Sequence, residues 1–170
     1  MPATPSSILW LTTFGLGNLR PAPGTWGSLP PINIAAFIIA INLGPGTEAS
    51  WLYYGSMVIV TLLFSGACVV FGDVGEAYFG KKDHGSIVAD ETAGQAVTLL
   101  FITPAMLATP ALAAFSLAFA FFAFRILDIV KPWPADAMQS LPGGWGVLLD
   151  DILAGVLAGL VLLATFSLAT

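Results

Sequence analysis

The sequence predicts a polytopic membrane helical bundle, about five transmembrane or re-entrant helices in a single domain over residues 1–170. Composition, chain length and the spacing of apolar runs predict it. Hydrophobic residues make up 57% of the chain and charged residues only 9%, against about 25% charged in an ordinary soluble domain. A chain of 170 residues folded in water hides only about 70% of its unfolded surface, so this much apolar surface has to meet lipid. Five apolar runs, at 29–43, 51–71, 93–106, 112–127 and 147–169, are separated by polar or Pro- and Gly-containing turns.

A membrane span needs roughly 20 residues at 1.5 Å each. Five crossings are expected; the first and third runs are shorter unless flanking residues such as Trp26, Ile87 and Val88 join them, and re-entrant segments are the alternative for either. Pro104 and Pro110 bracket a short turn, and 44–50 is a polar turn between the first two runs. The N-terminal residues lack a basic region and a cleavage-type site, so the first apolar segment is expected to stay in the mature protein.

All five basic residues, Arg20, Lys81, Lys82, Arg125 and Lys131, fall in segments that five crossings place on one side. The positive-inside rule makes that side cytoplasmic, with the N-terminus in and the C-terminus out. Nine of the ten acids share that face on this topology, Glu48 being the exception. The net charge of −5 comes without an acidic run or a basic patch, so nucleic acid is not an expected partner.

Three polar segments converge on the cytoplasmic face: DHGSIVADE (83–91), RILDIVKPWP (125–134) and GGWGVLLDD (143–151). They place Asp90, Glu91, Asp128, Asp150 and Asp151 at helix ends near the headgroups. A charge at the centre of a membrane helix costs about 2.5–3.5 kcal/mol on insertion scales, less toward the interface, so five acids there call for pairing, hydration or a cation. Several hard carboxylate oxygens suit Mg²⁺, which takes one or two carboxylates and completes its octahedron with water and phosphate. Such an ion acts as a Lewis acid and lowers the pKa of water, chemistry suited to attack on a phosphoryl group.

Each of these residues also has a plainer reading. Asp150 and Asp151 project about 100° apart on a helix, so one can ligate while the other orients. Arg125 and Asp128 share a face, as an ion pair or as a phosphate clamp. Lys131 precedes Pro132 and suits a helix C-terminus as well as a ligand phosphate. The segment PAPGTWGS (21–28) has the composition of a phosphate-cradling loop before a helix start. His84, the single histidine, reads as a loop residue, and Cys68, the single cysteine, as apolar packing.

Other phosphatase chemistries lack their residues. Cys68 has no loop setting and no following arginine for a thiolate mechanism, no DxD pair offers an aspartyl-phosphate nucleophile, and one histidine is too few for a histidine-based membrane phosphatase. The DG and AR elements of CDP-alcohol phosphotransferases are missing too. A proton or ion relay would spread acids through the bilayer depth, and a non-catalytic lipid-binding subunit would not depend on its acids for turnover.

PAPGTWGSLP, DHGSIVADE, FRILDIVKPWP and GGWGVLLDDILAG, in that order and spacing, resemble the phosphatidylglycerophosphatase A family over about residues 15–159. The resemblance implies an all-α enzyme of the bacterial inner membrane, active site facing the cytoplasm, that uses Mg²⁺ to convert the phospholipid phosphatidylglycerophosphate to phosphatidylglycerol and phosphate. Carried across, the family's acidic, metal-holding positions fall on Asp83, Asp90, Glu91, Asp128, Asp150 and Asp151. Its basic positions fall on Arg125 and Lys131, and its small-polar loop on Gly24, Thr25, Gly27 and Ser28. His84 stands where many relatives carry proline.

Overall fold

The computed structural model describes residues 5–133 and 143–169, and among them regular structure is entirely helical. The helices are α1 (Ser6–Leu11), α2 (Pro23–Ala40), α3 (Ser50–Phe79), α4 (Ala89–Leu99), α5 (Pro110–Val130) and α6 (Gly144–Ala169). Short 3₁₀ turns at Leu16–Asn18 and Pro104–Leu107 complete the set.

Among the described residues, three helices are long and apolar enough to cross a bilayer: α3, α5 and α6. With 30 residues, α3 is about 45 Å long, well beyond the roughly 30 Å hydrocarbon layer. It runs eight residues past the apolar run because Asp73 and Glu76 do not interrupt a helix, and it stops at Gly80 in the left-handed conformation (φ 68°). Tyr53, Met57, Phe64, Cys68, Gly72 and Gly75 form its inward stripe, while Ile59, Leu62, Leu63 and Val70 face outward. In lipid that outward face needs no further partner.

The two short runs become the short helices. α2 has 18 residues and carries Pro30 and Pro31 inside it, and it begins at Pro23, so the expected loop at 24–28 is already its first turns. Proline at the first helical position costs nothing there, because that N–H has no intrahelical acceptor. α4 has only 11 residues, about 16 Å, too short to span.

α4 is the axis of the bundle. α2, α3, α5 and α6 all pack on it, and every residue of it except Glu91 is buried. Ala89, Ala93, Gly94 and Ala96 keep it thin enough to be enclosed. The tightest contact is with α6: a Cβ at Gly155 would lie 2.3 Å from the Gly94 carbonyl oxygen, and one at Gly94 would lie 2.5 Å from that of Asp151. Small residues at such a crossing let backbones approach where lipid gives no hydrophobic drive between helices. The Thr98 hydroxyl, buried in this seam, lies within hydrogen-bonding distance of the Gly94 and Gly155 carbonyls.

The far end of α4 is closed by side chains rather than water. Tyr53 donates to the Leu99 carbonyl at 3.0 Å and Tyr54 to that of Ile102 at 2.9 Å, satisfying acceptors that a helix C-terminus leaves open. At the near end Val88 N–H donates to the Leu11 carbonyl, and the Thr13 and Thr92 hydroxyls share a 2.8 Å hydrogen bond. Thr92 also lies 2.7 Å from the Gly27 carbonyl, so one buried residue joins the N-terminal segment, α2 and α4.

Replacing Gly155 by valine puts side-chain atoms where the Gly94 carbonyl sits. We expect Gly155→Val to lower unfolding stability by about 1–3 kcal/mol, the usual cost of overpacking, read as a lower thermal midpoint in detergent. A midpoint equal to wild type would contradict this contact.

Candidate active site

The site forms where α4 begins. Asp90 and Glu91 are the second and third residues of α4, where the positive end of the helix dipole favours carboxylates. The Gly94–Gly155 crossing brings the first half of α6 against that turn, and Asp151 joins them. One oxygen from each of Asp90, Glu91 and Asp151 lies within 4.8 Å of the others. Asp90 and Asp151 are buried, at 5% and 2% exposure.

The other sequence-derived residues surround this triad. Arg125 Nη1 lies 2.7 Å from Asp128 Oδ2 and 3.8 Å from Glu91 Oε1. Asp128 is close enough to Asp151 for one carboxyl to hydrogen-bond the other when protonated. Lys131 ends α5 in the left-handed region (φ 46°), and its Nζ donates to Asp150 Oδ2 at 2.5 Å. The two adjacent acids of α6 thus diverge, Asp151 to the triad and Asp150 to Lys131.

Gly24 and Gly27 serve by having no side chain. A Cβ on Gly24 would lie 2.3 Å from Glu91 Oε1 and 2.7 Å from Arg125 Nη2, and one on Gly27 would lie 2.6 Å from Val88 Cβ. α2 therefore rests directly on the Glu91–Arg125 pair. The Ser28 hydroxyl donates back to the Gly24 carbonyl at 2.8 Å, and Thr25 N–H is taken by the Ala22 carbonyl, so neither group is an open phosphate donor of the expected loop kind. Asp83 is exposed in the turn before α4 and lies outside the three-carboxylate cluster, although its charge acts on Asp90.

Other residues near the site follow the plainer readings. His84 stacks on Phe79 with ring centroids 4.4 Å apart, and its Nδ1 accepts from Ser86 N–H. Cys68 is buried with Phe64, Ala89, Ala93 and Leu148. Two placements have no motif to announce them: Asp73 Oδ1 lies 2.8 Å from where a Cβ of Gly143 would sit, beside the start of α6, and Thr92 forms the junction described above. A lone threonine in an apolar helix carries no sequence signal for such a role.

The electrostatics call for a cation. Burial, with the neighbouring charge of Glu91, pushes the Asp90 carboxyl well above the usual carboxylate range. Burial also pushes Glu91 up to about 8, with Asp151 and Asp128 adding to the rise while Asp90 and Arg125 oppose it. Burial alone would lower the Lys131 ammonium, but the Asp150 hydrogen bond and nearby acids hold it above its ordinary value. Glu91 Oε2 and Asp151 Oδ2 are buried without a hydrogen-bond partner. An orphaned carboxylate oxygen is costly, and two on residues of one carboxylate cluster fit a hard divalent ion.

The acids gather at one end of the bundle instead of being spread along it. A depression of about 480 Å³ at the opposite end is lined by Ile39, Asn42, Pro45, Thr47 and Leu107 among others, none of them titratable. It offers no group for phosphoryl chemistry.

Comparison with known proteins identifies a family. The phosphatidylglycerophosphatase A family matches residues 9–166. A Haemophilus influenzae protein named phosphatidylglycerophosphatase A is 35% identical over 156 residues, covering 89% of this chain and 83% of that protein. The Escherichia coli protein of the same name is 34% identical over 150 residues, 88% of this chain and 77% of its own. A Bacteroides thetaiotaomicron relative, provisionally named a phosphatidylinositol-3-phosphatase, is 34% identical over 157 residues, 88% and 86% of the two chains. No solved structure matches.

Carboxyls that hold protons more tightly when folded make the native state less stable as pH rises, because the folded state then binds more protons than the unfolded one. For Glu91 that window runs from the ordinary value of 4.5 to about 8. Metal-free protein is expected to lose thermal stability across this range, and millimolar Mg²⁺ to flatten the loss. A pH-independent midpoint in EDTA would contradict the burial of these acids. With its match from residue 9 to residue 166, the chain belongs to the phosphatidylglycerophosphatase A family of phosphatases.

Proposed function

We propose that the protein hydrolyses the terminal phosphomonoester of phosphatidylglycerophosphate, giving phosphatidylglycerol and phosphate, with Mg²⁺ held by Asp90, Glu91 and Asp151. The observation that carries this reading is the three-carboxylate cluster, with Asp90 and Asp151 buried and two orphaned oxygens, at one end of a bundle with three helices long and apolar enough to span a membrane. The substrate follows the names of the Haemophilus influenzae and Escherichia coli relatives. On the positive-inside rule the basic residues support a cytoplasmic orientation for this end, and the inner membrane is the location expected for this family.

When bound, Mg²⁺ supplies positive charge against the phosphoryl oxygens and makes water more acidic. The chain's own groups supply the rest. Arg125, oriented by Asp128 and Glu91, and Lys131, oriented by Asp150, present fixed cations to the charge that grows on the phosphoryl group. Preorganised charges in a partly dry site count for more than the same charges in water. An acid of the cluster, its proton affinity raised by burial, takes the proton that water loses on attack. Gly24 and Gly27 let α2 roof the Glu91–Arg125 pair closely enough to limit water. The acyl chains stay in the bilayer while only the headgroup reaches the acids.

Purified protein in mixed micelles is expected to release phosphate from phosphatidylglycerophosphate with Mg²⁺, to stop in EDTA and to recover on Mg²⁺ return. Phosphatidylinositol-3-phosphate serves as the competing substrate and is expected to give the lower kcat/KM. Full activity after thorough metal removal would sink the metal assignment, and a preference for the inositide would sink the substrate.

Removing one charge-stabilising donor typically costs about 10²–10³ in kcat, and that is the loss expected for Arg125→Ala and for Lys131→Ala. Asp151→Asn should weaken Mg²⁺ binding measured directly by calorimetry as well as turnover. Unchanged affinity would remove Asp151 from the ligand set.

A further inference from the structure

Below the Lys131–Asp150 pair, the outer seam between α5 and α6 opens into an apolar groove of about 240 Å³, lined by Phe119, Ala123, Ile126, Leu127 and Val161. Its floor is closed by Phe124, Ala154 and Ala158, packed together behind Ala123 and Leu127. No lining side chain carries a polar atom. Both walls belong to helices long and apolar enough to span the bilayer, and the wholly apolar lining suits a hydrocarbon chain.

Helix geometry ties this groove to the site. Leu127 lies one turn before Lys131, whose N–H donates to the Leu127 carbonyl at 2.8 Å. Val161 follows Asp150 by eleven residues, about three turns, and returns to the same face of α6. The two walls therefore descend from the two members of one ion pair, whose N–O distance is 2.5 Å. The Lys131 side chain keeps 27% exposure, and an ammonium has three donors, of which Asp150 takes one. A cation with donors to spare stands above an apolar channel. That charge pattern matches an anionic phospholipid, phosphate at the top and chain below.

We propose that this groove seats one acyl chain of the phospholipid substrate, so that the lipid reaches the acids from the α5–α6 side. The inference rests on the lipid phosphomonoesterase reading above and adds to it a chain-binding subsite and a direction of entry. Bulk lipid would touch the same surface without any register to the site, and the experiment separates the two.

Ala123→Phe fills the groove from α5 and Val161→Phe fills it from α6. Each variant is assayed on dioleoyl phosphatidylglycerophosphate and on the dihexanoyl form, whose chains are too short to run the length of the groove. Obstructing an apolar subsite is expected to raise KM for the dioleoyl lipid about tenfold or more and to leave the dihexanoyl lipid unchanged. Equal effects on both lipids in both variants, or none on either, would overturn the subsite.

A second readout does not depend on turnover. Dioleoyl-length phosphatidylglycerophosphate bearing a mid-chain diazirine is photolysed with wild-type protein, and the adducts are mapped by mass spectrometry. Adducts concentrated at Leu127 and Val161, and lost in Ala123→Phe, support the groove. Adducts spread equally over Ile59, Leu62 and Leu63 of α3 overturn it. Wild-type protein that crosslinks in the groove yet releases phosphate from neither lipid would refute the enzymatic reading alone.

Discussion

Keeping three carboxylates close together and out of water is the constraint on which the rest of the structure depends. Like charges that near one another resist joint ionisation, and burial opposes even one. The protein meets this partly with the α4 dipole and partly with Arg125, and it leaves two oxygens unsatisfied. The unsatisfied oxygens suit a divalent ion. Much of the packing around the site follows from that requirement.

The chain makes its innermost helix shorter than any of the four that surround it, and the most polar. α4 carries Asp90, Glu91, Thr92, Gln95 and Thr98 among small residues, an unsuitable composition for a lipid-facing helix. Surrounded by α2, α3, α5 and α6, it meets protein on all sides, and threonines and tyrosines answer most of its polar groups. The glycine seam between α4 and α6 then sets how near Asp151 comes to Glu91. The contact that packs the bundle also assembles the triad.

Much of this was legible beforehand for stated reasons. Apolar runs report spans directly, because lipid selects for them, and α3, α5 and α6 lie where hydropathy puts them. Helix ends were less legible: Asp73 and Glu76 look like a loop by hydropathy, yet they continue α3. The run at 93–106 is visibly too short to span, yet nothing in it marks Leu99 as the helix end, which enclosure by other helices allows. The segment around Gly24 reads as a flexible cradle in sequence, while packing on Glu91 and Arg125 makes it helical.

From the sequence alone came the class of solvent, the all-helical bundle, the family and the inventory of acids and bases. Those depend on composition and on motifs, which survive without coordinates. The tertiary structure decided which acids share a centre, that Asp150 turns to Lys131 while Asp151 turns to Asp90 and Glu91, and that Asp83 stands apart. Side-chain direction in this site is set by helix crossings between residues some 60 positions apart, and no local pattern encodes that distance.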